Sequence, residues 1–430
     1  MTDLVLHRFS DRGSRRVDGS VRFPRAQSLL RAACASARRR RIVRSTAARD
    51  GTYHETRDGW IRLAANVVRS IPALRRAFAF AAALFASLAA TAQEWTRVEP
   101  PGAQCWDGSP WHFWYRAGAA DKLAIWFEGG GACWSAALCD VQGRATFDQR
   151  AVSDPQKSSR RLPTSGLFDT ARANNPLRDY TVVYLPYCTG DVHVGRRTVE
   201  YVRKDGTRFS FAHRGANNTL AALDWLKERA VDPSVVFVSG ESAGAIGAAY
   251  WALEIGDRYP RAQLIALGDA AGGYRSLAVN GALKQWGTLD ALPDVPAYAN
   301  RDRVFFETFY VAAAQRHPTA RLGQVNYADD AEQRTFMKLL GTPVDKLTKP
   351  LTCNMNEVRI DAPQFHSYIY PGNRHVILST NAVYAIRCNG QSLVDWVTDL
   401  IDGTPIENRW CDGTTATALA SPVAAPPPKL

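Results

Sequence analysis

Short runs of β-branched and aromatic residues alternate through the middle of the chain with longer stretches of helical periodicity. The clearest predicted strands are Leu123–Phe127, Tyr180–Leu185, Val235–Val238, Gln263–Leu267 and Ser367–Tyr370. Between or after them the spacing predicts helices over Asn218–Arg229, Ala243–Ile255, Arg303–Gln315, Ala331–Leu340 and Ser392–Ile401. Strand and helix in alternation predict parallel βαβ units, and so an α/β fold with a mostly parallel central sheet and helices on both faces. The interval from Ile255 to Leu351 is too long for simple connections and has helical patterns of its own. It is expected to form an inserted lid or pocket wall.

Both ends of the chain break this pattern. Near the start, Arg69, Arg75 and Arg76 precede an apolar run from Ala77 to Ala90, and Ala90-Thr91-Ala92 offers small residues for cleavage. Those are the three regions of a signal peptide, expected over 66–92. Residues 1–65 are Arg-rich, with Arg38 to Arg41 in a row, and are expected to be disordered or the product of an overextended start site. The competing reading is a basic arm for nucleic acid, which would be stranded on the wrong side of export. From Gly413 the chain turns to Thr, Ala and Pro, so 413–430 is expected to be a disordered tail and 93–412 the folded domain.

Splitting the charge along the chain changes what it means. The net charge is +12, but residues 1–92 alone hold 18 arginines, no lysine and six acids. The rest is balanced, with 35 basic and 35 acidic residues, so the body offers no field for nucleic acid. No apolar stretch is long enough for a stable membrane span once a signal is removed. Of the eight cysteines, seven follow the leader: Cys105, Cys133, Cys139, Cys188, Cys353, Cys388 and Cys411. None falls in a Cys-x-x-Cys pair, so disulfides in an oxidising compartment fit better than zinc. The odd number leaves one thiol free or paired elsewhere.

Candidate chemistry is concentrated at strand ends. The strand ending at Val238 runs into Gly240-Glu241-Ser242-Ala243-Gly244 and then a helix rich in small residues, the setting a nucleophile elbow requires. Glycines flank the serine because a sharp strand-to-helix turn leaves little room for side chains. The amide of Ala243 would then sit at a helix N-terminus, able to donate to an oxyanion. Upstream, the strand Leu123–Phe127 leads into Glu128-Gly129-Gly130-Gly131-Ala132-Cys133, a glycine run that presents bare amides at the sheet's carboxyl edge. It lacks the Gly-Lys-Ser/Thr or Gly-x-Gly-x-x-Gly spacing of a phosphate cradle.

A serine nucleophile needs a base and an acid. Among the histidines after Ser242, His317 precedes a proline at a helix end and His366 opens a strand, whereas His375 lies in the loop directly after Ser367–Tyr370. That loop is where a last strand delivers a base. For the acid, Asp269 follows Gln263–Leu267, one strand too early for the usual acid loop, and the pair Asp329 and Asp330, after Val325-Asn326-Tyr327, is favoured on chain order, although either could serve only as an N-cap.

These blocks, in order over most of 100–411, resemble the pectin acetylesterase and Notum family of secreted α/β-hydrolases. They are Cys105-Trp-Asp-Gly-Ser109, Glu128 to Cys133 with Cys139, Pro186-Tyr-Cys-Thr-Gly-Asp-Val-His193, Gly240 to Gly244, Asp330-Ala-Glu-Gln333 and His375-Val-Ile-Leu378. They continue into Asn389-Gly390 and Asp395-Trp396. The resemblance implies Ser242 as nucleophile, Asp330 as acid with Asp329 one register away, His375 as base, and the amides of Gly130, Gly131 and Ala243 as oxyanion donors. It also implies disulfides Cys105–Cys188 and Cys133–Cys139; among Cys353, Cys388 and Cys411 the resemblance leaves the pairing open, and the expectation is Cys353–Cys411 with Cys388 free. Gly131 and Ala132 stand where Notum has a bulky aromatic, so the chain looks more like the bacterial and plant pectin acetylesterases. The implied function is a secreted or periplasmic serine esterase that deacetylates a polysaccharide such as pectin and needs no cofactor or metal. A fatty-acyl esterase and a non-catalytic binding module are the alternatives.

Overall fold

The computed structural model describes residues 94–143, 145–147, 162–229 and 231–411, and the backbone of 416–418. The segments expected to be leader and signal peptide lie outside the described residues. Of the expected tail, Ala416–Ala418 pair as a short strand, and the remainder also lies outside.

In chain order the strands are β1 (Trp95–Val98), β2 (Phe113–Arg116), β3 (Ala119–Phe127), β4 (Tyr180–Leu185), β5 (Arg197–Val202), β6 (Arg208–His213), β7 (Val235–Glu241), β8 (Gln263–Asp269), β9 (Arg321–Tyr327), β10 (Phe365–Tyr370), β11 (Ile386–Cys388), β12 (Gln391–Ser392), β13 (Arg409–Trp410) and β14 (Ala416–Ala418). The α-helices are α1 (Ala136–Cys139), α2 (Gly215–Glu228), α3 (Ala243–Arg258), α4 (Leu277–Gln285), α5 (Thr308–Arg316), α6 (Ala331–Leu339), α7 (Thr348–Asp361), α8 (Ala382–Ala385) and α9 (Leu393–Asp402).

Nine strands form one sheet in the order β1-β2-β4-β3-β7-β8-β9-β10-β13. From β4 to β13 all neighbours are parallel, and β2 and β1 add an antiparallel edge. The continuous apolar runs of β4, β7 and β8 follow from burial on both faces, as parallel strands require. Alternate residues divide between two cores. On one face Leu123, Ile125, Val236, Val238 and Leu264 pack with α2, α3, α5 and α7, while on the other Trp126, Phe237, Ile265, Leu267 and Val325 pack with α9. This is an α/β-hydrolase-like arrangement, with helices on both sides of a mostly parallel sheet.

Helix boundaries follow local chemistry. Ser276, Asp330 and Ser392 cap α4, α6 and α9 with side-chain oxygens, and Gly403, at a φ of 79°, ends α9 in a left-handed turn. The helix expected from Arg303 starts later, at Thr308, after a 3₁₀ turn over Arg301–Arg303. Among the described residues no helix is long and apolar enough to cross a membrane.

Three disulfides join Cys105–Cys188, Cys133–Cys139 and Cys388–Cys411. The expected bond Cys353–Cys411 with Cys388 free is therefore incorrect. Helix α7, which carries Cys353, packs its Leu351, Met355 and Val358 into the core on one face of the sheet. Cys388 and Cys411 are both buried in the core on the other face, so the sheet itself separates Cys353 from Cys411. Among the described residues no cysteine is a free thiol.

Candidate active site

Strand β7 ends at Glu241 and α3 begins at Ala243, leaving a single residue, Ser242, to reverse the chain. It does so at φ 55° and ψ −121°, a strained conformation for a residue with a Cβ. Its amide donates to the carbonyl of Asp269 at 2.8 Å and its carbonyl accepts from the amide of Ala245 at 3.0 Å, which hold the turn from both sides. The helix can approach this closely because Gly244 lies against the end of β3, where any Cβ would collide with the Phe127 carbonyl.

The glycine run after β3 passes beside this turn. Gly131 has a φ of 77° and pairs across a bridge with Phe147, so a side chain there would be strained whatever the space. Ala132 and Cys133 donate their amides to Thr146 and Gly190, at 3.1 and 2.8 Å. Among the described backbone hydrogen bonds, none uses the amides of Gly130, Gly131 or Ala243. The start of the loop is anchored at Glu128, whose carboxylate accepts the Tyr187 amide at 2.9 Å and whose carbonyl accepts from His193 Nε2 at 2.8 Å. Burial lowers the pKa of His193 to about 4, so the ring is neutral and fit to donate that one hydrogen bond. Its own turn is fixed by buried Asp191, which accepts from Thr189 Oγ1, the His193 amide and the Gly215 amide.

Asp330 and His375 come from different strand ends and meet directly. Tight docking of the two loops, with the Asp329 amide on the Gly372 carbonyl and the Ala331 amide on the Asn373 carbonyl, brings His375 Nδ1 to 2.7 Å from Asp330 Oδ2. Asp330 is fully buried, and its other oxygen takes the amides of Glu332 and Gln333, so it caps α6 and orients the imidazole at once. Gln333 Nε2 reaches back to the same carboxylate at 3.1 Å and to Asn326 at 3.0 Å. Burial pulls the His375 pKa down, but the hydrogen bond and charge of Asp330, with Asp269 and Glu332 behind them, outweigh it and raise the imidazole above its ordinary 6.5. With Nδ1–H donated to Asp330, Nε2 is left as the proton acceptor.

Asp329, the neighbouring acid, turns away to Lys346 Nζ at 3.1 Å and the Leu347 amide at 2.9 Å. His317 closes α5 and bonds the Leu253 carbonyl, and His366 is half-buried in β10. Neither is placed with the other site residues. Two contributors, His193 and Gln333, stood in the family blocks without an assigned role, since no local pattern distinguishes a buttress from a core polar group.

Ser242, Gly131 and Ala243 line a common cleft of about 410 Å³, counted to its open mouth. Its other walls are apolar: Trp134 on the Cys133–Cys139 loop, Val192, Ile246, Val279 and Ala282 of α4, and Trp286 directly after it. Phe306, Phe336 and Leu340 complete them with Tyr274, so half of the lining comes from the 255–351 interval. One cluster among the described residues, Cys133, Cys139 and His213, has metal-ligand spacing, but its two sulfurs are joined to each other and cannot act as thiolates.

A family model described as Pectinacetylesterase matches residues 89–277, a span that includes the glycine loop and the elbow but ends before Asp330 and His375. The chain is also 29% identical over 147 residues to the palmitoleoyl-protein carboxylesterase NOTUM of Schmidtea mediterranea, covering 34% of this chain and 27% of that protein. It thus spans about a quarter of the length of the curated relative it matches. The family-model match takes in Ser242, so over 89–277 the chain is similar to the pectinacetylesterase family.

Proposed function

We propose that the protein is a serine carboxylesterase. Ser242 Oγ attacks the ester carbonyl while His375 Nε2 takes its proton, and Asp330 holds the imidazole in the tautomer that leaves Nε2 free. The tetrahedral oxyanion is received by the amides of Gly130, Gly131 and Ala243, an arrangement typically worth about 3 to 4 kcal/mol per donor. His375 returns the proton to the leaving alcohol, and water then releases the acyl group by the same steps in reverse order. The observation that carries the reading is Ser242 in a strained turn at the head of α3, lining one cleft with two of the three candidate oxyanion donors. The buried Asp330–His375 contact supports it.

For the acyl group, the apolar lining of the cleft, with Trp134, Tyr274, Trp286, Phe306 and Phe336 among its walls, favours a chain longer than acetyl. The second reading, an O-acetyl group on a polysaccharide such as pectin, is favoured by the description of the matching family model. A signal peptide over 66–92 and a secreted or periplasmic site are supported by three disulfides in the folded domain. The test is hydrolysis of p-nitrophenyl esters from acetate to palmitate by the oxidised protein, with Ser242→Ala in parallel. The variant is expected to lose activity by about 10⁴-fold or more. Equal rates for the two proteins would sink the assignment, and the chain length giving the highest kcat/KM decides between the two acyl classes.

A further inference from the structure

Asp269 ends β8 in register with Glu241, one residue before the elbow. Its backbone carbonyl accepts the Ser242 amide at 2.8 Å. Its side chain runs the other way, into the loop after β10, where one oxygen, Oδ2, accepts the amides of Ile377 and Leu378 at 2.6 Å each. Those residues follow His375 across Val376, which has a φ of 47°, a conformation a β-branched residue avoids unless its surroundings enforce it. Asp269 itself is fully buried, and its second oxygen, Oδ1, has no hydrogen-bond partner. A carboxylate kept in the core with one oxygen unsatisfied is expensive, and nothing in the local fold of β8 requires it.

We propose that Asp269 is a positioning residue that fixes the nucleophile against the base, its main chain holding Ser242 and its carboxylate clamping the strained turn that carries His375. The proposal rests on the esterase reading of the site. Among the described hydrogen bonds none joins Ser242 Oγ to His375 directly, so the spacing of the two depends on the framework between them, and Asp269 is bonded to both ends of it. The groups acting electrostatically on His375 are Asp330 through its hydrogen bond, and Asp269 and Glu332 through charge. Burial pushes the Asp269 pKa up to about 7, so above that pH its carboxylate also favours the imidazolium formed during attack, in addition to holding the loop.

Two substitutions separate these contributions. Asp269→Asn keeps an oxygen for both amides and removes the charge, whereas Asp269→Ala removes both. Ester hydrolysis by the oxidised full chain is measured against pH for wild type, both variants and Ser242→Ala, with near-ultraviolet circular dichroism to verify packing. Asp269→Ala is expected to lower kcat by about 10²-fold with KM little changed, the scale of a small misplacement of reacting groups. Asp269→Asn is expected to recover much of kcat, with the shortfall from wild type growing as pH rises through about 7, where the buried carboxyl ionises. If a folded Asp269→Ala keeps the wild-type kcat, the positioning role is overturned while the esterase reading stands. If wild type shows no Ser242-dependent hydrolysis, the esterase reading fails first. Should Asp269→Ala not fold, Asp269→Ser, whose shorter side chain falls short of the two amides, is read in its place by the same kcat comparison.

Discussion

The turn that carries Ser242 is assembled from its neighbours in the chain. Strand β7, the two flanking glycines and the small residues of α3 all lie within a few positions of the serine, and the shape follows from their lack of side chains. The loop that carries His375 is assembled from far away, by Asp330 at a separation of 45 residues and by Asp269 at 108. The first arm is held by exclusion of volume, the second by buried charge and hydrogen bonds. Damage to the first should therefore appear as misfolding, and damage to the second as a folded protein that reacts slowly.

The largest expected effect tests the second arm. Asp330→Asn should cut kcat by about 10⁴-fold, because it no longer enforces the reactive tautomer, while circular dichroism stays native. The pH profile sharpens this. His375 must be neutral to act as base, so wild-type kcat/KM should fall as pH drops through its raised value above 6.5, and Asp330→Asn should move that limb downward. Stability runs the opposite way. A raised imidazole contributes its full stabilisation below 6.5 and loses it as pH rises through the folded value.

The first arm is tested by Gly244→Ala, which sets a methyl group against the Phe127 carbonyl. A loss of about 1 to 3 kcal/mol in stability is expected in denaturant titrations, with activity falling in proportion to the folded fraction. If the variant were instead fully folded but slow, the contrast between the arms would break. The smallest effect is expected at Asp329→Asn. Its partner Lys346 is solvent-exposed, so kcat should change less than about twofold and stability by under about 1 kcal/mol. A large loss of turnover there would transfer the acid's role from Asp330.

How much could be read from the sequence follows the same division. The elbow and the glycine loop were legible from the residues alone, since strand, glycines, serine and helix lie side by side. The pairing of Asp330 with His375 came from family resemblance, because chain order could not separate Asp330 from Asp329, nor an acid from an N-cap, and Asp330 is in fact also a cap. Asp269 was noticed at the end of its strand, but no periodicity says which loop a carboxylate reaches across a sheet. The third disulfide went wrong for the same reason. Which face α7 covers is decided by packing, and the spacing of Cys353, Cys388 and Cys411 is silent about it. Helices α4 and α7 were not predicted: α7 carries Pro350 and a mixed polar pattern, although proline is tolerated within a first turn.

Non-glycine residues with positive φ gather around the cleft: Val192 in its wall, His193 beneath the glycine loop, Ser242 itself, Ala270 after Asp269 and Val376 after His375. Each such residue costs on the order of 1 to 3 kcal/mol. The relaxed alternatives at these positions are available by single substitution, to glycine above all. Selection for heat resistance alone would drift toward them and deliver a sturdier protein with a looser centre, so on the proposed function thermal tolerance and turnover are governed by overlapping sets of residues.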